Sequence, residues 1–108
     1  MAADGVQAKI DRFSQMVAKH PDSELARFSL GSALFEAGRF AEAEPHFARA
    51  LELKEDWVVA GIFRARCLIR LGRAGEARPV LATARRHSIA QHHESPVEEI
   101  DEILADLG

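Results

Sequence analysis

Residues 22–54 and 56–88 lie over one another without a gap, and ten of the 33 aligned positions are identical. Asp22, Ala26, Leu34, Gly38, Arg39, Glu42, Ala43, Pro45, Ala48 and Ala50 return as Asp56, Ala60, Leu68, Gly72, Arg73, Glu76, Ala77, Pro79, Ala82 and Ala84. A chain that repeats every 34 residues folds as a stack of like units, because one such unit cannot bury its apolar face alone. The same step back puts Phe13 over Phe47 and Leu81, so residues 4–21 form the second half of a unit whose first half is missing.

Each unit reads as two amphipathic helices. The segment Leu30–Leu53 carries both, with a tight turn at Gly38-Arg39. Ala, Leu, Glu and Arg dominate while Tyr is absent and Trp occurs once, so helix formers outweigh strand formers. The expected class is all-α. The periodicity predicts helices over Val6–Lys19, Glu24–Ala37, Ala41–Lys54, Val58–Leu71, Gly75–His87 and Ser95–Leu107. Asp4-Gly5 reads as a turn, Asp22-Ser23 as an N-cap, and Ser88–Glu94 as a polar connection. Ser95, Pro96 and Glu98 mark the start of the sixth helix. One domain over 1–108 is expected: a half unit at 4–21, full units at 22–55 and 56–91, and a capping helix at 95–107.

The 34-residue period, with Leu30-Gly31, Leu34, Ala43, Phe47 and Ala50, then Ala65, Leu68, Ala77, Leu81 and Ala84, resembles the tetratricopeptide repeat. Pro21 closes the partial unit in the same way. The resemblance implies a short right-handed α-solenoid of antiparallel helix pairs, with Gly31 and Ala43 (and Ala65 and Ala77) at close helix crossings. Several positions depart from the family pattern: Arg27 and Gly61 stand where it has Trp, Leu34 and Leu68 where it has Tyr, and Arg64 where Leu is usual.

The resemblance also implies a function, a non-catalytic adaptor that holds a peptide or helix of a protein partner in a concave groove. Leu25, Phe28, Ser32, Phe35 and Glu36 would line it from the first full unit, and Val59, Ile62, Arg66, Ile69 and Arg70 from the second. At 100° per residue each set lies on one arc of its helix, and six of the ten residues are apolar, more than a wet surface calls for. Packing between neighbouring first helices is the competing use for that apolar area.

Arg66 and Arg70, one turn apart, suit a partner's carboxylates. An internal alternative is favoured. Residues 58–91 carry seven Arg and one Glu, and residues 92–108 carry six acids and no base. Glu98, Glu102 and Asp106 would then pair with those arginines.

Other chemistries find little support. His87, His92 and His93 sit near Glu94 without the spacing of a metal site, so no metal or other cofactor is expected. Cys67, the lone cysteine, reads as a core residue in a reducing compartment. No nucleophile–base pair or phosphate loop is present, so an enzyme is not expected. A net charge of −3 and arginines without interleaved aromatics argue against nucleic acid. No apolar stretch of membrane-spanning length or signal-peptide form occurs, which gives a cytoplasmic expectation and no membrane partner. The half unit leaves Ile10, Met16 and Val17 as candidates for an uncovered end. A self-associating module, dimeric through that end or through the groove, is the alternative function. The starting Met fits a complete chain.

Overall fold

The computed structural model describes residues 2–108, with side chains from residue 5 onward. It contains six helices: α1 Ala2–Lys19, α2 Glu24–Glu36, α3 Phe40–Leu53, α4 Val58–Arg70, α5 Ala74–Ala90 and α6 Glu94–Leu107. Consecutive helices pack as antiparallel neighbours in an all-α helical-repeat solenoid. The first helices also touch across the stack, α2 with α4 and α4 with α6, whereas α3 and α5 do not pack on each other. The stack therefore has a closed layer of first helices and an open layer of second helices.

Local chemistry sets the turns. Ser23 caps α2, its Oγ accepting from the Ala26 N–H at 3.1 Å. Gly38 and Gly72 end α2 and α4 with φ of 76° and 75°, a conformation in which a Cβ would be strained. The next residue closes the turn each time: the Arg39 N–H donates to the Leu34 carbonyl at 2.9 Å and the Arg73 N–H to that of Leu68 at 2.8 Å. Arg39 and Arg73 then grip Glu42 and Glu76 with paired bonds of 2.6–2.9 Å at the starts of α3 and α5. The dipeptide Gly-Arg thus performs the same two tasks twice.

Two core clusters divide the chain. The first is aromatic: Phe47 is fully buried with Leu30, Leu34 and Ala43, and Phe63 from α4 closes over it, stacked on Phe47 at 5.2 Å. The second is aliphatic, built from Ala65, Leu68, Ala77 and Leu81, with Ile100 from α6 wholly enclosed. Gly31 is required by the first cluster, since a Cβ there would stand 3.0 Å from the Phe47 ring.

Three expectations are corrected. Asp4-Gly5 is not a turn but part of α1; one glycine costs a helix about 1 kcal/mol, less than the packing of Val6 and Ile10 on α2 returns. The fifth helix does not stop at His87 but runs to Ala90, so the polar connection shrinks to Gln91–His93. Ser88 is consequently a buried helical residue whose hydroxyl donates to the His93 carbonyl at 2.7 Å. Finally, Ser95 is not the N-cap of α6, which starts at Glu94 with His93 in that role. His92 makes the turn at φ 60°, and the His93 N–H closes it on Ser88 as Arg39 and Arg73 close theirs. The longer α5 is why α6 leaves the 34-residue register.

Candidate functional site

On the layer of first helices, two clefts bring expected groove residues together. The larger, of about 440 Å³, lies between α2, α4 and α6 and is lined by Phe35, Arg66, Ile69, Arg70, Ile103, Asp106 and Leu107. Its floor is apolar and its sides bear two cations and one acid. The smaller, of about 240 Å³, lies between α1 and α2 and brings Phe28, Ser32 and Glu36 together with Lys9 and Phe13. Glu36 faces Lys9 there at 3.4 Å.

The expected groove residues fall into three groups. Phe35, Arg66, Ile69 and Arg70 meet in the larger cleft; Phe28, Ser32 and Glu36 meet in the smaller. Leu25 and Val59, 60% and 44% exposed, stand apart from both at the starts of α2 and α4. Ile62 is a correction. It is 4% exposed and belongs to the aliphatic core with Ile100, so α6 covers the face it was expected to present. The residues that sequence reasoning missed are Ile103 and Leu107 of α6 and Lys9 and Phe13 of α1. The helical apolar spacing Ile100, Ile103, Leu104, Leu107 was the available signal for α6.

Phe28 and Phe35 also serve the core. Phe28 stacks on Trp57 at 4.5 Å and meets Phe47 and Phe63 edge-on, while Phe35 meets Phe40 and Phe63 edge-on, each at 5.1 Å. Both remain only half-buried, so each has one face in the core and one at a cleft.

The arginines part company. Arg66 Nη2 bonds Glu99 at 2.7 Å, whereas the Arg70 guanidinium lies over the Phe40 ring at 5.0 Å, exposed. The expected ladder through Glu98, Glu102 and Asp106 is therefore corrected. Because α6 leans mainly on α5, its acids split: Glu99 reaches α4, and Asp101 takes a two-pronged bond from Arg85 of α5 at 2.8 and 3.2 Å. The Arg85 guanidinium holds the Asp101 carboxyl below its ordinary range. Arg78 adds bonds to the carbonyls of Leu107 and Gly108.

The remaining candidates are structural. Cys67 is fully buried, and burial, with a smaller push from Glu44, drives its thiol up to about 11, away from nucleophilic use. Among the described residues no three His, Cys, Asp or Glu side chains converge to hold a metal ion. Of the helix that was to present an open end, Ile10 is buried against α2 and Val17 half-buried, leaving Met16 exposed. No helix among the described residues is long and apolar enough to cross a membrane.

Two family models describing the tetratricopeptide repeat match residues 34–88 and 10–56. The chain belongs to the tetratricopeptide repeat family. Family membership places it among helical-repeat modules of protein–protein interaction, which are in general not catalytic. The yeast Sti1 TPR2B domain, solved in a pHsp70 complex, is similar with a TM-score of 0.83 at 22% identity, covering 94% of this chain and 81% of that one. Protein BPP2914 from Bordetella parapertussis gives 0.77 at 26% identity over 91% and 85%. The first TPR of Spaghetti (RPAP3), bound to an HSP90 peptide, gives 0.74 at 19% over 96% and 85%. A MamA chain, AMB-1, gives 0.72 at 27%, and this tetratricopeptide repeat chain spans 50% of its length. No curated protein matches the sequence.

Proposed function

We propose that the chain is a non-catalytic adaptor that receives a peptide or helix of a protein partner in the cleft between α2, α4 and α6. One observation carries this reading: Ile69, Ile103 and Leu107 form an apolar floor beside Arg70, an exposed cation whose ring contact with Phe40 leaves its N–H donors available. A partner that sets an apolar side chain on the floor and a carboxylate on Arg70 uses both features. Solved tetratricopeptide domains of like fold, those of Sti1 and Spaghetti, are complexes with pHsp70 and with an HSP90 peptide.

The test compares affinity capture by the wild-type chain, Ile69→Asp and Arg70→Glu. Arg70 is exposed, so Arg70→Glu should change the melting temperature little; Ile69 is half-buried against the aliphatic core, so if Ile69→Asp fails to fold, Arg70→Glu alone decides. A protein held by the wild type and lost at least tenfold by both variants is the expected result. Equal retention by all three places the partner elsewhere.

A further inference from the structure

The two full repeats differ on the open layer, where α3 and α5 stand apart over α4. A cleft of about 300 Å³ opens there, and Glu55, Trp57, Gly61, Arg64, Val80 and Thr83 are among its lining residues. The 34-residue step sets Gly61 over Arg27, Thr83 over Arg49, Val80 over His46, Glu55 over Pro21 and Asp56 over Asp22. In the first repeat, two arginines occupy this place. Arg27 donates Nε–H to the Pro21 carbonyl at 3.0 Å and lies 3.3 Å from His46 Nδ1. Arg49 bonds Asp22 at 2.7 Å and Glu52 at 3.1 Å.

The second repeat loses both arginines and keeps two of their four partners, the turn carbonyl and the aspartate, while Val80 and Arg86 stand where His46 and Glu52 did. The carbonyl of Glu55 corresponds to that of Pro21, Asp56 corresponds to Asp22, and Glu55 adds a carboxylate that Pro21 lacks. Gly61 brings no donor to them. Arg64 on the cleft wall is already engaged, its Nε 3.2 Å from Glu44 Oε1.

We propose that this outer cleft takes an arginine side chain from a protein partner, lying as Arg27 lies in the first repeat. Its methylene stem rests on Val80 and Trp57, and its guanidinium faces the Glu55 carbonyl and carboxylate. Lysine fits less well, because a compact ammonium cannot spread planar donors over two acceptors.

Trp57 is the only tryptophan of the chain and lines the cleft, so its emission reports occupancy. The probes are the N-acetyl amides of arginine, lysine and leucine, titrated at pH 8 with amide chemical shifts mapped in parallel. The arginine amide should give a saturable Trp57 change, with shifts confined to residues 55–61 and 80–84, and bind at least tenfold more tightly than the leucine amide. Glu55→Gln, at an exposed position, should weaken it at least threefold with unchanged melting temperature.

Gly61→Arg supplies the missing side chain in cis and should abolish the response. A Cβ at Gly61 would stand 3.1 Å from the Ala84 Cβ, so this variant is made together with Ala84→Gly. If that pair fails to fold, Glu55→Gln alone decides. Absence of a saturable change, equal binding of leucine, shifts centred on the acidic α6, or no effect of Glu55→Gln would each overturn the proposal. None of these outcomes bears on the cleft between α2, α4 and α6.

Discussion

Arg64 of α4 and Glu44 of α3 form an ion pair that ties the first full repeat to the second, with Nε 3.2 Å from Oε1 and the Glu44 side chain only 11% exposed. Arg64 occupies a position that Leu30 fills in the first repeat, so an apolar contact has become a charged one. Removing one member of a buried pair leaves the other without a partner. Arg64→Leu should therefore destabilise the domain by about 1–3 kcal/mol, although it restores the repeat's own leucine, because Glu44 is left buried without its donor. The double change with Glu44→Ala should recover most of that loss. Urea unfolding of the two singles and the double measures this coupling, and an additive double would remove the pair from the account.

Gly31 is fixed by a neighbour rather than by its backbone angles. A Cβ there would stand 3.0–3.1 Å from three atoms of the enclosed Phe47 ring. Gly31→Ala should cost about 1–3 kcal/mol despite the better helix propensity of alanine. Gly75→Ala, with open space around it, should be neutral or stabilising. Thermal melts of both variants separate the two effects.

For α6, enclosure outweighs charge. Ile100 is wholly buried, and Ile100→Ala should cost about 2–5 kcal/mol. The pairs Arg66–Glu99 and Arg85–Asp101 are solvent-exposed, so Glu99→Ala with Asp101→Ala should cost clearly less than Ile100→Ala and lose its effect in high salt. A double acid variant more damaging than Ile100→Ala would reverse the order.

His46 gives the domain a pH dependence. Burial is the main cause that lowers its affinity for a proton, Arg27 lowers it further, and Glu42 opposes both weakly. Because the folded state resists protonation, the unfolded state binds the proton first. Stability is therefore full above the ordinary histidine value of 6.5 and falls as the pH drops through and below it. The depressed carboxyls of Glu42, Glu76 and Asp101 withdraw stability only at lower pH, below their ordinary values near 4. Melting temperature should decline from pH 7.5 to 5.5, and His46→Gln should flatten that limb. A flat wild-type profile over this range would contradict the assignment.

The fold was legible because its signals are local and doubled. Gly38-Arg39 and Gly72-Arg73 mark two identical turns, and Phe47 and Leu81 mark two equivalent core places. The cleft was legible only in part, because its walls come from helices whose phase depends on lengths that no local signal fixes. Ser88 looked like loop chemistry; a single hydroxyl bond to His93 keeps it inside α5 and moves the start of α6. With α6 placed, Ile62 passes from groove to core, and Ile103 and Leu107 take over the surface. Phe28 and Phe35 were expected to face outward. What kept them half inside is Phe63, which offers edge-on partners that a reading of single-helix periodicity does not see.

The order of helix contacts has a consequence for how the domain comes apart. Each helix leans chiefly on its neighbours in the chain, so damage at one interface stays there, and stability accumulates link by link. The two end helices have one strong neighbour apiece, while α3 and α4 are held from both sides. Amide exchange should therefore be fastest in α1 and α6 and slowest where Phe47 and Phe63 stack, which makes the aromatic seam between the repeats the last part of the molecule to melt.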